Sequence, residues 1–308
     1  MTKLSIVFLG SGSSIPTPER NHPGIFLDYE GDKFLWDCGE GTQRQMMIAG
    51  LKFMKIKRIF ITHWHADHFA GLIGLIETFN LERRDEPLEV YGPEASRFID
   101  AFSELSYWDF GFKIKSFDVN YEGNTVSKIF ENDKYKILSV PVKHNVPAVA
   151  YCFQEKDRWN IDLKKLKKFG IKEGHILEEL RANGKIRYNN KIVKLKDVAD
   201  RTKGKKIVYS GDTAPCNGIL KLSKNADLLI HDATFMDSIS NLEKKPYLRK
   251  CHTSAKKAAE IAKKADVKKL ILTHFSRRYK DGNIIRKEAQ KIFKNTDVAK
   301  DFKKIIVE

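Results

Sequence analysis

The sequence contains few residues that could cross-link the chain. Its 308 residues include four cysteines, and no two of these form a Cys-x-x-Cys pair. Closely spaced cysteine pairs are typical of zinc knuckles and redox sites, and dense cysteine frameworks are typical of small secreted proteins. We therefore expect reduced, mostly buried thiols and a cytoplasmic protein whose fold depends on an apolar core.

The sequence also lacks long apolar runs, internal repeats and low-complexity tracts. No segment approaches the roughly 20 apolar residues that span a bilayer, and the amino terminus, Met1–Gly10, is typical of a first strand that runs into a glycine turn. A signal peptide would need a longer apolar region and a cleavage site. With 42% hydrophobic residues the chain can bury a full core, as one large domain or as a domain with an insertion. We expect no membrane partner.

A histidine-rich motif is the most informative feature that is present. Three histidines and one aspartate lie within the six residues 63–68, directly after the apolar run Ile59–Ile61. Alternation along a strand points His63 and His65 the same way, while Asp67 and His68 lie where a helical pattern begins. Imidazole and carboxylate ligands suit zinc. The motif predicts two adjacent metal ions, and the alternative is a solvated histidine-rich turn.

Three later segments have the same organisation as the strand before His63. Each is an apolar, β-branched run that opens with lysine and ends at a side chain able to bind a metal. They are Lys136–Lys143 before His144, Lys206–Gly211 before Asp212, and Lys269–Thr273 before His274. Because strands of one sheet or sandwich bring their ends to a common rim, the pattern predicts one shared site. Either histidine alone could equally be an incidental surface residue.

The net charge of +16 is unevenly distributed. Residues 156–206 contain 17 Lys+Arg against 7 Asp+Glu, which is +10 of that total. A lysine-rich surface is also common in heat-adapted proteins, but clustering of this kind favours a polyanionic partner. The apolar spacing within the segment predicts a small helical hairpin. An ordinary basic surface excursion is the alternative.

These motifs resemble those of the metallo-β-lactamase superfamily and, within it, the short form of tRNase Z, the endoribonuclease that matures tRNA 3′ ends. The more specific resemblance depends on Gly10–Ser14, Asp37–Gln45, Ser210–Thr213, His231–Thr234, His252–Ala255 and His274–Tyr279. It implies an α/β fold over residues 1–308: an αββα sandwich of two mixed sheets with helices on both outer faces. A basic helical arm that grips tRNA would be inserted at about 156–204.

The resemblance also implies two Zn²⁺ ions per subunit and their ligands. One ion would be held by His63, His65 and His144, the other by Asp67, His68 and His274, with Asp212 bridging them. Such a pair can supply hydroxide at neutral pH. The hydroxide would attack the phosphorus after the discriminator nucleotide of precursor tRNA, leaving a tRNA 3′-hydroxyl and a 5′-phosphate on the trailer.

Further residues receive supporting roles from the same resemblance. Asp67 would also accept a proton from the nucleophile, and His252 would donate one to the leaving 3′ oxygen, oriented by Asp232 where the family usually has glutamate. The alternative for His252 is a helix-start residue. Asp37 would accept a hydrogen bond from a metal-bound histidine, although it could be a simple turn aspartate, and His231 would support the ligands from behind.

RNA contacts and assembly are implied as well. Arg20 and Asn21 belong to a loop that resembles the family's CCA-discriminating loop, with Pro18 where lysine is usual. The arm lysines expected to contact tRNA include Lys164, Lys165, Lys167, Lys168 and Lys172. A homodimer is implied.

Two rival functions fit parts of the sequence. A superfamily hydrolase of a small ester or thioester shares the histidine motif but has no use for the basic insertion. A nucleic-acid-binding protein with a vestigial site would not need every ligand.

Overall fold

The computed structural model describes residues 4–105, 110–171, 174–237 and 250–307. They form two compact units. The first contains residues 1–130, 137–153 and 206–308, and the second contains 131–136 and 154–205. Of the residues expected to contact RNA, Lys172 lies outside the described ranges.

The first unit contains a seven-stranded mixed sheet in the order β18-β1-β2-β3-β4-β5-β6. Its strands are β1 Leu4–Gly10, β2 Gly24–Tyr29, β3 Asp32–Cys38, β4 Ile56–Phe60, β5 Leu88–Gly92, β6 Ile114–Asp118 and β18 Lys304–Val307. Neighbours are antiparallel from β18 to β3 and parallel from β3 to β6.

A second seven-stranded sheet has the order β17-β16-β15-β14-β9-β8-β7. Its strands are β7 Ser127–Glu131, β8 Tyr135–Pro141, β9 Val149–Glu155, β14 Lys206–Tyr209, β15 Leu228–Asp232, β16 Leu270–Thr273 and β17 Thr296–Val298. Strands β14 to β17 are parallel, so β14, β15 and β16 bring their carboxyl ends to the same edge.

Aromatic side chains pack the two sheets against each other. The rings of Phe34 and Phe153 stack with centroids 5.9 Å apart, and those of Trp36 and Tyr209 stack at 5.7 Å. Because both faces of each central strand are covered, these strands are continuously apolar, as the sequence suggested. The three later apolar runs that open with lysine in the sequence form strands β8, β14 and β16.

Helices cover the outer faces of this sandwich. The helices on the first sheet are α1 Thr42–Ile48, α2 Ala66–Phe69, α3 Gly71–Leu81 and α4 Ala95–Leu105, with a short 3₁₀ turn at Phe53–Lys55. The helices on the second sheet are α8 Asn217–Ser223, α9 Ala255–Lys264 and α10 Asn283–Gln290. Helix α9 buries its alanines and exposes its lysines, so it packs closely on the sheet. The expected αββα sandwich is confirmed.

The second unit has its own apolar core and comprises β10 Arg158–Ile161, α5 Leu163–Lys168, α6 His175–Asn183, β11 Lys185–Tyr188, β12 Lys191–Lys194, α7 Leu195–Val198 and β13 Ala199–Thr202. Leu166, Leu180 and Val198 lie in that core. The two expected helices are present, but the antiparallel pairs β10–β13 and β11–β12 were not anticipated. Their four-residue strands are too short for alternation to be recognised in so charged a sequence.

In the described part of the chain, no helix is long and apolar enough to cross a membrane. All four cysteines are free thiols: Cys38 and Cys152 are buried, and Cys216 and Cys251 are half-buried.

Candidate active site

The histidine-rich motif follows β4, and α2 begins within it. Helix α2 starts at Ala66 and turns Asp67 and His68 back toward the residues that precede it. The turn packs against Gly39 so closely that a Cβ there would lie 2.1 Å from the carbonyl oxygen of Asp67. Glycine is therefore required in the turn after β3.

One group of candidate metal ligands consists of His63, His65 and His144. Their ligand atoms all lie within 4.8 Å of one another. The Nδ1 atom of His65 is 3.0 Å from Nε2 of His63 and 3.2 Å from Nε2 of His144. Burial lowers the pKa of each of these imidazoles, that of His63 most strongly. Neutral imidazoles are the form that binds a metal.

A second group consists of Asp67, His68, Asp212 and His274, all buried and also within 4.8 Å of one another. The Nε2 atom of His274 is 3.4 Å from Oδ2 of Asp67 and 3.2 Å from Oδ2 of Asp212. The same Asp212 oxygen lies 3.9 Å from Nε2 of His63 in the first group. Asp212 therefore lies between the groups, where a bridging ligand would be needed.

The residues present fit a divalent cation. Buried Nε2 of His68 and Oδ1 of Asp212 lie 3.4 Å apart, and neither has a hydrogen-bond partner among the described residues. An unsatisfied buried polar atom costs about 1–3 kcal/mol, which a bound cation would offset. Burial lowers the pKa of His68, but Asp212, Asp37 and Asp67 together raise it well above its usual value. This excess of negative charge also favours a cation.

Residues behind the ligands fix their ring orientations. Asp37 accepts a hydrogen bond from Nδ1 of His68 at 2.8 Å, and also from the backbone N–H of Thr62 at 2.7 Å and the hydroxyl of Tyr209 at 2.8 Å. Its carboxylate therefore turns Nε2 of His68 toward Asp212. This is the environment expected of Asp37, although its role stays a prediction.

Two groups that contact the candidate ligands His144 and His274 were not predicted from the sequence. The backbone carbonyl of Cys251 lies 2.8 Å from Nδ1 of His144, and the hydroxyl of Thr234 lies 2.9 Å from Nδ1 of His274. A backbone carbonyl leaves no side-chain signal in a sequence. Thr234 belongs to the sequence motif His231–Thr234. Its position two residues after Asp232 was the signal from which its role could have been predicted.

The half-buried His252 and the fully buried Asp232 form a pair beside the second group of candidate ligands. Nδ1 of His252 lies 3.1 Å from Oδ2 of Asp232, so the shorter aspartate does reach the histidine. The other carboxylate oxygen accepts hydrogen bonds from the N–H and hydroxyl of Thr234 at 2.9 and 2.7 Å, which fixes its position. Burial lowers the pKa of His252, but Asp232 and Asp212 outweigh it and raise the value to about 9.

Two other expectations concern the surroundings of this pair. Helix α9 is capped by Ser254, whose hydroxyl accepts the N–H of Lys257 at 3.2 Å, so His252 is not needed to begin the helix. His231 is fully buried, and its Nδ1 lies 2.9 Å from the carbonyl oxygen of Asp232. It therefore supports the backbone that carries Asp232.

Five of the seven candidate ligands line a cavity of about 560 Å³: His65, Asp67, His144, Asp212 and His274. Its walls also include Ser14 and His252. A neighbouring cavity of about 640 Å³ shares His252 and His274 and adds Ser13, Arg277 and Arg278. Positive side chains therefore lie beside the ligand groups, as an anionic substrate requires.

Arg20 and Asn21 have partners within the protein. The guanidinium of Arg20 donates to the carbonyl oxygens of Tyr279 at 2.7 Å and Lys280 at 3.1 Å, and it lies 5.2 Å from the ring centroid of Phe275. The side-chain amide of Asn21 donates to the carbonyl oxygen of Glu40 at 2.9 Å. Both side chains help to build the loop, and their contact with RNA stays a prediction.

Comparisons with known proteins show which family this chain belongs to. Residues 4–97 match the family model described as Anti-Pycsar protein Apyc1, and residues 198–275 match the Beta-lactamase superfamily domain. Ribonuclease Z of Methanothermobacter thermautotrophicus is 40% identical over 300 residues, covering 97% of this chain and 95% of that protein. Ribonuclease Z of Thermococcus onnurineus is 43% identical over 279 residues, covering 90% and 86%. The crystal structure of human tRNase Z, short form, aligns with a TM-score of 0.68 and 29% identity over 98% of each chain. The chain therefore belongs to the ribonuclease Z family of the metallo-β-lactamase superfamily.

Proposed function

We propose that this protein is the endoribonuclease that removes the 3′ trailer from precursor tRNA by hydrolysing the phosphodiester after the discriminator nucleotide. The products are a tRNA 3′-hydroxyl and a trailer 5′-phosphate. The observation that carries the proposal is the match to Ribonuclease Z proteins over almost the whole chain, which includes the two ligand groups and the basic unit.

The cofactor we propose is a pair of Zn²⁺ ions per subunit. His63, His65 and His144 would hold one ion, Asp67, His68 and His274 the other, and Asp212 would contact both. When bound, two such ions act as Lewis acids and lower the pKa of water from 15.7 to roughly 7. Nitrogen and carboxylate donors in groups of three or four support zinc over magnesium, which prefers oxygen ligands.

The remaining chemistry belongs to side chains around the cavity. Asp67 is the proposed proton acceptor for the attacking water, because its carboxylate lines the cavity between the ligand groups. His252 is the proposed donor to the leaving 3′ oxygen. Asp232 holds its ring through Nδ1 and raises its pKa, which favours the protonated form that can donate.

The second unit is the proposed tRNA-binding arm, inserted at about 156–204. Lys164, Lys167 and Lys168 are exposed on α5, whereas Lys165 pairs with Asp200 at 2.5 Å. Exposed lysines on a separately packed core suit contact with RNA phosphates. A homodimer and a cytoplasmic location are also proposed, the first from the family resemblance and the second from the free cysteines.

A direct experiment is to incubate the purified protein with a 3′-extended tRNA transcript and map the product ends. We expect one cut after the discriminator nucleotide, a 3′-hydroxyl on the tRNA, and loss of cutting after chelation. A protein that leaves this RNA intact but hydrolyses small esters or thioesters would support the rival hydrolase function instead.

A further inference from the structure

Asp301, in the turn between β17 and β18, has four hydrogen bonds that no part of the proposed chemistry uses. Its Oδ1 accepts the N–H of Ser11 at 3.0 Å and the hydroxyl of Ser11 at 2.8 Å. Its Oδ2 accepts the N–H of Asn21 at 2.7 Å and the side-chain amide of Gln45 at 3.1 Å. A carboxylate can accept all of these hydrogen bonds at once, whereas an amide cannot.

Ser11 and Asn21 form the base of one loop, residues 11–21, which leaves β1 and returns to β2. The two sides of the loop approach closely, because the N–H of Gly12 donates to the carbonyl oxygen of Asn21 at 3.0 Å. A Cβ at Gly10 would lie 1.7 Å from the carbonyl oxygen of His22, so only glycine permits this approach. Asp301 therefore joins both sides of the loop at its narrowest point.

Asp301 is itself held firmly. The N–H of Phe302 donates to the carbonyl oxygen of Phe8 at 2.7 Å, and the N–H of Phe8 donates to that of Lys303 at 3.1 Å. These bonds attach the turn to β1 immediately before the loop. Gln45 also donates to the carbonyl oxygen of Leu9 at 2.7 Å, which ties α1 to the same point.

The far side of the loop reaches the metal-binding cavity. Ser14 lines both cavities beside the ligand groups, and Ser13 lines the second. The N–H of Ser13 donates to the carbonyl oxygen of Phe275 at 3.1 Å, and the N–H of Phe275 donates to that of Ser11 at 3.0 Å. Phe275 directly follows His274. The position of the loop is thus linked to the position of a proposed ligand.

We infer that Asp301 is a positioning residue, which fixes loop 11–21 over the cavity so that the RNA 3′ end meets the candidate metal ligands at one phosphodiester. This inference rests on the proposed endonuclease function. The guanidinium of Arg20 and the amide of Asn21 are directed to protein carbonyls, so the loop presents a fixed shape. Fixed geometry of this kind is worth much to an extended RNA substrate and little to a small substrate that needs only the metal site.

The test compares Asp301→Asn with Asp297→Asn. The first preserves side-chain shape but places an N–H group against existing donors. The second changes a carboxylate of the same carboxyl-terminal segment, one that pairs with Lys303 at 2.6 Å. In Asp301→Asn we expect kcat/KM on precursor tRNA to fall about 10- to 100-fold, by analogy with a displacement of about 1 Å. Product ends should spread to neighbouring phosphodiesters.

Two other measurements should match the Asp297→Asn control at a temperature where both variants are folded: metal content and turnover of bis(p-nitrophenyl) phosphate. Equal losses on both substrates would make Asp301 a purely structural residue and overturn the inference, as would unchanged tRNA cleavage with a single product end. If Asp301→Asn does not fold, Ser11→Ala takes its place, because it removes only the hydrogen bond from the Ser11 hydroxyl to Asp301. The same measurements and the same outcomes then apply to Ser11→Ala. A parental protein that cannot cut precursor tRNA overturns the proposed function, and this inference falls with it.

Discussion

At the scale of single residues, carboxylates organise the site. Asp37 orients a ligand, Asp67 and Asp212 belong to the ligand groups, and Asp232 holds His252. These carboxylates are buried, and like charges in a buried site repel unless cations separate them. A bound divalent cation would therefore both supply the reactive chemistry and relieve the repulsion.

Asp212→Ala should remove most of the bound metal, because this side chain lies between the two ligand groups. We expect elemental analysis to find about two zinc ions per parental chain, as in other two-metal hydrolases, and less than one in the variant. Asp297→Asn is the matched control, since Asp297 pairs with Lys303 and belongs to none of the candidate metal groups among the described residues. Full metal occupancy in Asp212→Ala, or one ion in the parent, would contradict the two-metal proposal.

His252→Ala should lower kcat on precursor tRNA by roughly a hundred- to ten-thousandfold, the usual contribution of a general acid. Asp232→Asn should have a smaller effect, because it acts through the ring of His252. The double variant should then be no slower than His252→Ala alone, since a positioning residue contributes nothing once its partner is gone. Multiplied effects in the double variant, or parental rates in His252→Ala, would rule out this relay.

At the scale of elements, strand ends were the most predictable part of the site. Apolar runs ending at His144, Asp212 and His274 could be recognised because buried strands are rich in apolar, β-branched residues. The contacts of Asp301 could not, because they join segments far apart in sequence, and two of the four donors are backbone N–H groups that carry no sequence pattern. The lysine-rich alternation of β11 and β12 was missed because a four-residue strand resembles a charged loop.

The start of α9 gives a stability test that separates helix capping from catalysis. Ser254→Ala should lower the free energy of unfolding by about 1 kcal/mol, because it removes the hydroxyl that caps the helix. His252→Ala should change that free energy less, while its effect on turnover should be much larger. Chemical denaturation and kinetics on the same preparations give both quantities. The reverse ranking of stabilities would make His252 a helix-start residue.

At the scale of the whole molecule, charge and packing divide the chain in the same way. Residues 156–206 carry 17 basic and 7 acidic residues, and the second compact unit occupies 154–205 apart from one short segment at 131–136. This unit has a separate apolar core, and every residue of that core lies within the range 157–202. All proposed metal ligands belong to the first unit.

Deletion of residues 157–202 should therefore separate RNA binding from hydrolysis. Arg158 pairs with Thr202 in the register of β10 and β13, so a short Gly-Ser linker can join the cut ends. Turnover of bis(p-nitrophenyl) phosphate should persist, because the ligand groups are untouched. Affinity for precursor tRNA should fall, and the log-log salt dependence of binding should flatten by about 0.9 for each RNA phosphate that the deleted residues neutralised.

A charge-only variant is the matched control for that deletion, with glutamine in place of the exposed Lys164, Lys167 and Lys168 of α5. It keeps the core of the second unit and leaves the Lys165–Asp200 pair in place. If the lysines bind phosphates, the log-log salt dependence of tRNA binding should also flatten in this variant, in proportion to the number of phosphates that the three lysines neutralise. Hydrolysis of bis(p-nitrophenyl) phosphate should be unchanged. Parental tRNA affinity and salt slope in both variants would mean that the basic unit is a solvated surface, and would favour a small-substrate hydrolase.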